Sequence, residues 1–164
     1  MQTFLPHALF SSCAKVLDTK RLGKQRVEVF QMLKALKIGP ESIRGDKIRK
    51  TPWYNHPCTQ MWKGYEKCLV VYGLFICQEW ISRGYKDSLF NKIHSYYPEY
   101  IFVGELPFSP LIIQREPTPS WLGDERLHAS HRSNLLRKDP GWYSSFGWKE
   151  TNDIPYFWPT KTID

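Results

Sequence analysis

The sequence predicts a mostly α-helical fold: a compact single domain over residues 1–164, with three main helices, long irregular connections and an aromatic-rich C-terminal tail. Three observations carry that expectation. An apolar 3.6-residue period runs through Leu17 to Lys37, a second, rich in aromatics, runs from Cys58 to Arg83, and a third segment, Asp124 to Lys138, is bounded by helix start and stop residues.

The first ten residues read as an extended arm, because Pro6 disfavours helix and Ser11 or Ser12 suits the cap of a short turn ending near Leu17. Gln2 is too large a second residue for methionine aminopeptidase, so Met1 is expected to stay and any free α-amine to be its own. In the central helix Leu22, Val29, Leu33 and Leu36 fall within roughly 60° of each other, a narrow stripe for a core. Beside it lie Asp18, Arg21, Gln25 and Glu28, with Arg26 almost inside the apolar arc. A purely structural helix puts its charges opposite the core. An ordered polar stripe at the core margin reads as one wall of a site, although the same spacings suit ion pairs one turn apart, and Asp18 before Thr19 suits an N-cap.

Gly39 and Pro40 stop this helix, and ESIRGDKIRKTPWYNHP reads as a basic loop that brings Asn55 and His56 to the entrance of the next helix. Asn there is ordinarily a cap; after a cationic loop both become candidates for phosphate or base contact. The second helix, Cys58 to Arg83, aligns Trp62, Tyr65, Leu69, Tyr72, Ile76 and Trp80 as a core stripe facing the first helix, with Glu66 placed to pair with Arg26. A short helix is expected near Asp87 to Ser95, then extended or irregular chain through YYPEYIFVGELPFSPLII, with room for a short strand or hairpin. Thr118-Pro119 reads as a cap with Pro at the first helical position. The third helix, ending at Asp139-Pro140, sets His128, His131, Arg132 and Leu135 on one stripe. Two histidines one turn apart without a third ligand do not make a metal site, so hydrogen bonding to phosphates or a base edge is expected instead, Arg132 foremost. No metal and no cofactor is expected.

Lys and Arg number 23 against 16 Asp and Glu, a net charge of +7. The excess crowds the central helix, where Lys15, Lys20, Arg21, Lys24, Arg26, Lys34 and Lys37 face only Asp18 and Glu28. That imbalance favours a polyanion, nucleic acid above all. Aromatics make up 15 % of the chain, with 7 Trp and 9 Tyr, and base stacking uses such faces beside cations. Cys13, Cys58, Cys68 and Cys77 form no CxxC pair, which argues against a disulfide framework and for reduced thiols. With no secretory leader pattern and no stretch approaching a membrane span, a cytoplasmic monomer without membrane contact is expected.

In order, these features resemble the pyrimidine-dimer DNA glycosylases of the phage endonuclease V type, and more closely a bacterial and phage branch opening with MQTF. The matching blocks are RLGKQRVE (Arg21 to Glu28), NHP with MWKGYE and RGY (Asn55 to Tyr85), and HASHRSNLLRKDPGWYSSFGW (His128 to Trp148). The resemblance implies a compact helical domain that bends double-stranded DNA and flips a nucleotide. It also implies an N-terminal α-amine attacking C1′ with help from a carboxylate on the first helix, and arginines of that helix on phosphates; Arg26 and His56 match best. Two departures stand out. Gln2 should preserve Met1 where the family exposes a small residue, and the carboxylate position reads Leu22-Gly23-Lys24-Gln25.

The expected activity is therefore excision of a damaged or modified pyrimidine, a UV dimer or a hypermodified or glucosylated cytosine. Glu28 or Asp18 would stabilise the oxocarbenium or act as base, and Gln25 would orient water or read the base. Arg21 would hold a flanking phosphate, His128 and His131 would contact the base, and Trp142 or Tyr143 would stack on it. A monofunctional reaction leaving an abasic site is favoured, with the Met1 amine or Lys24 as the nucleophile of a lyase route. Two rivals remain: a non-catalytic basic DNA-binding module on the same fold, and an enzyme of free nucleotides, which the extent of the basic face disfavours.

Overall fold

The computed structural model describes residues 1–44, 47–98 and 118–159, with the side chains of 43 and 44 outside that description. It is mostly helical: α1 (Phe10–Val16), α2 (Thr19–Ile38), a hairpin of β1 (Glu41–Arg44) and β2 (Lys47–Lys50), α3 (Pro57–Met61), α4 (Glu66–Ser82), α5 (Phe90–His94), α6 (Glu125–Lys138) and α7 (Pro140–Tyr143), then a 3-10 turn, Ser144–Phe146. The strand or hairpin expected in YYPEYIFVGELPFSPLII falls almost wholly outside the described residues.

α2 starts where Asp18 accepts a hydrogen bond from the Arg21 amide and stops at Gly39, whose φ of +86° few side chains tolerate. Its apolar stripe is as expected: Leu22, Val29 and Leu33 are buried and Leu36 is half-buried. α4 packs along it, and Gly73 permits the approach, since a Cβ there would stand 2.6 Å from Val29 Cγ1. The aromatic stripe also lies in the core, with Trp62, Leu69, Tyr72 and Ile76 fully buried.

Three expectations are corrected. The second helix is not continuous from Cys58 to Arg83: it breaks between Met61 and Glu66, where Gly64 takes a φ of +86° and Glu66 accepts a hydrogen bond from its amide. Glu66 is not the partner of Arg26, which pairs with Asp87 and lies 4.2 Å over the Trp80 ring. Thr118-Pro119 does not cap the third helix, which spans Glu125–Lys138 much as expected: a turn at Ser120–Gly123 intervenes, and Asp124 is the cap. The tail folds locally as well, into α7 and the 3-10 turn.

The N-terminal arm is extended and buried, with Thr3 and Leu5 inaccessible and Gln2 and Phe4 nearly so. An extended segment without a sheet must find partners for its backbone elsewhere. Here helix side chains supply them. Glu28 accepts from the Gln2 amide, Gln25 accepts from the Phe4 amide and donates to the Gln2 carbonyl, and the single Tyr72 hydroxyl proton is shared between the Phe4 carbonyl and Gln25 Oε1. From α6, His131 Nδ1 accepts from the Leu5 amide, His128 Nδ1 meets the Leu5 carbonyl at 2.7 Å, and Arg132 donates to the Pro6 carbonyl. The four cysteines are buried, and no disulfide joins described residues. No helix among the described residues is long and apolar enough to cross a membrane.

Candidate active site

The arm carries the first residue to the polar stripe of α2. Gln25, one turn before Glu28, is 1 % exposed and uses both ends of its amide: Oε1 accepts from the Phe4 amide and, at 2.7 Å, from the Tyr72 hydroxyl, while Nε2 donates to the Gln2 carbonyl and to Glu28 Oε2 at 2.9 Å. Glu28 Oε2 is thus held by Gln25 and the Gln2 amide. Its other oxygen, Oε1, stands 3.7 Å from the Met1 α-amine and 3.7 Å from Lys24 Nζ. One carboxylate, nearly buried, is fixed between two amines.

These groups line a cavity of about 410 Å³, within the size range of small-ligand sites. Glu28, Gln25, Gln2 and Met1 form one part of its wall, Phe4 and Tyr156 give aromatic faces, and Lys20, Arg21, Lys24 and Lys138 bring cations. Lys138 is held below the ordinary lysine range, first by burial and then by the charges of Arg21, Arg137 and Lys24. A cavity ringed by cations around one carboxylate suits an anionic ligand in which positive charge develops during reaction.

The other residues singled out in the sequence are placed as follows. Asp18 lies outside the cavity lining: Oδ1 accepts from the Arg21 amide, and Oδ2 accepts from Arg21 Nη1 at 2.7 Å and from the Tyr143 hydroxyl at 2.6 Å. Burial alone would raise its carboxyl, but the bonds from Tyr143 and Arg21 hold it below the usual range. It is a cap and a clamp between α2 and α7. Arg21 serves both places, lining the cavity while bonded to Asp18 and to the Lys138 carbonyl. Arg26 is committed to Asp87, which caps α5 through the Leu89 and Phe90 amides. His128, His131 and Arg132 face inward onto the arm, with Arg132 also paired to Glu125 and Glu150. Burial lowers His131 to about 3, so its ring is neutral. Tyr143 is buried against Trp148, whereas Trp142 is 43 % exposed and donates to the Val16 carbonyl. Asn55 is exposed, and His56, the cap of α3, is lowered by burial and by the Met1 amine.

Within the neighbourhood Leu22-Gly23-Lys24-Gln25, where the resemblance leads one to expect a carboxylate, Gly23 has no room for a side chain. A Cβ there would stand 2.8 Å from the Trp80 ring, so that position faces packed indole and not the cavity. Gln2, Phe4, Lys20, Lys138 and Tyr156 join the cavity without having been singled out as site residues. Lys138 and Tyr156 carry no local signal, since only the docking of α6 and the tail on α2 brings them there.

A family model described as pyrimidine dimer DNA glycosylase matches residues 1–92, just over half of the chain. No curated protein and no solved structure matches it.

Proposed function

This chain belongs to the pyrimidine dimer DNA glycosylase family, a family of enzymes acting on DNA, and on that premise we propose that it excises a damaged or modified pyrimidine flipped into the cavity. The observation that carries the reading is Glu28 Oε1 at 3.7 Å from the Met1 α-amine, with Oε2 immobilised by Gln25 and the Gln2 amide. That geometry favours the amine route over the water route expected from the sequence. Glu28 takes a proton from the α-ammonium, and the freed amine attacks C1′. The C1′–N bond to Met1 forms as the glycosidic bond breaks, and the bonding pair leaves with the base. The proton that Glu28 took passes to the departing base, and the restored carboxylate faces the alkylammonium now attached to C1′. Arg21, Lys20 and Lys138 suit the flanking phosphates, and Phe4 and Tyr156 suit the faces of the base.

The test incubates the purified protein with UV-irradiated, glucosyl-hydroxymethylcytosine-containing and unmodified duplexes, and scores released base and borohydride-trapped adduct. Base release from one modified duplex, with an adduct mapped to Met1, is expected. An adduct at Lys24 would move the nucleophile to α2, and release without any adduct would restore the monofunctional route. Binding to all three duplexes without release would make the chain a non-catalytic DNA-binding module.

A further inference from the structure

The segment read from sequence as a basic loop is an antiparallel hairpin that pairs Glu41 with Lys50, Ser42 with Arg49 and Arg44 with Lys47. All four residues of β2 are exposed, so both faces of that strand meet solvent, and Ile48 is 68 % exposed. No residue of β2 belongs to the hydrophobic core. A two-stranded ribbon of this kind gains little stability by itself. Lys47, Arg49 and Lys50 have no ion-pair partner among the described residues.

The chain leaves the ribbon through a tight turn, Thr51 to Tyr54, closed by the Tyr54 amide on the Thr51 carbonyl. Pro52 takes the second position and Trp53 the third, with φ of +67°, the left-handed value that such a turn reserves for glycine. Trp53 is the only non-glycine residue with positive φ among those described. A 49 % exposed tryptophan is thus held in a strained conformation, its ring 5.9 Å from that of His56. From there aromatic rings continue inward: His56 to Trp158 at 6.1 Å, and Trp158 to Tyr156 at 5.6 Å. Tyr156 lines the cavity. Trp53, which directly follows the ribbon in the chain, is therefore joined to the candidate active site by a track of rings. Backbone strain at an exposed aromatic, strand cations without an ion-pair partner among the described residues, and a path to the site share one explanation.

We propose that the β1–β2 ribbon and Trp53 form a second contact on duplex DNA, a clamp on the stretch flanking the nucleotide in the cavity. Lys47, Arg49 and Lys50 neutralise phosphates along a groove wide enough for a two-stranded ribbon, and Trp53 stacks against a base. The proposal rests on the reading of the cavity as a nucleotide site, and its partner is duplex DNA irrespective of damage.

The experiment measures binding to an unmodified duplex across a salt series for the wild type, the triple variant K47S/R49S/K50S, and Trp53→Gly. The triple variant is expected to flatten the slope of log K against log salt by about 2 to 3, close to 0.9 for each lost contact, with its melting temperature unchanged. Trp53→Gly is expected to bind roughly ten-fold more weakly while melting no lower than the wild type, because glycine suits the φ and a stacking face is lost. A triple variant with the wild-type slope, or Trp53→Gly with wild-type affinity, overturns the clamp. Base release from modified duplex, scored in parallel on the wild type, reads the cavity separately: release with unchanged slopes rejects the clamp and leaves the active site standing.

Discussion

Two helices carry polar side chains where a packed helix ordinarily carries apolar ones, and they use them to different ends. On α2, Gln25 and Glu28 hold the start of the arm, and Glu28 keeps one oxygen for the Met1 amine and Lys24 at a cavity wall. On α6, His128, His131 and Arg132 grip Leu5 and Pro6 from inside the molecule, and none of the three lines the cavity. A buried polar stripe therefore does not mark a site by itself. What separates the two is the presence of an acceptor not consumed by the fold.

The largest expected effect isolates that acceptor. Glu28→Gln keeps an oxygen for the Gln2 amide but loses the charge, so base release should fall by about 10² to 10⁴ with little change in the urea midpoint. Arg132→Ala should do the reverse, costing about 2–3 kcal/mol in urea unfolding as charged hydrogen bonds are lost, with base release per folded molecule largely kept. Equal loss of activity in both variants would erase the distinction between the helices.

His131 sharpens the comparison through pH. Burial lowers its pKa from 6.5 to about 3, so the unfolded chain binds a proton that the folded one refuses. Its contribution is complete above pH 6.5 and declines as pH falls toward 3. His131→Asn, which retains an acceptor for the Leu5 amide, should flatten the stability profile in that window even if the midpoint at pH 7 drops. An unchanged slope in urea titrations from pH 7 to 4 would place the proton uptake elsewhere.

The smallest effect concerns the clamp between α2 and α7. Tyr143→Phe removes the hydroxyl that donates to Asp18 and should cost about 1 kcal/mol, leaving base release within a few-fold of the wild type. A collapse of activity at unchanged stability would instead give Tyr143 a part in holding the nucleotide.

The stripes of α2 and α4 and the capped start of α2 were legible because each rests on spacing within one segment: Leu22, Val29 and Leu33 point one way whatever else the chain does. The break at Gly64 was hidden because Trp62 and Tyr65 keep the apolar period going through a turn where the backbone leaves the helix. Lys47 to Lys50 were legible as basic and not as a strand, since both faces of β2 are solvated and no apolar alternation marks it.

By itself the sequence determined the helical class, the polar stripe of Asp18, Arg21, Gln25 and Glu28, and the resemblance that led to the family. Periodicity and composition are local properties, and a short window contains them. Only the tertiary structure decided that Asp18 is a clamp while Glu28 meets the amine, that the histidines serve the arm, and that Lys138 and Tyr156 reach the cavity. The physical reason is the buried arm: its backbone groups require hydrogen-bond partners, and helices far apart in sequence supply them only after docking.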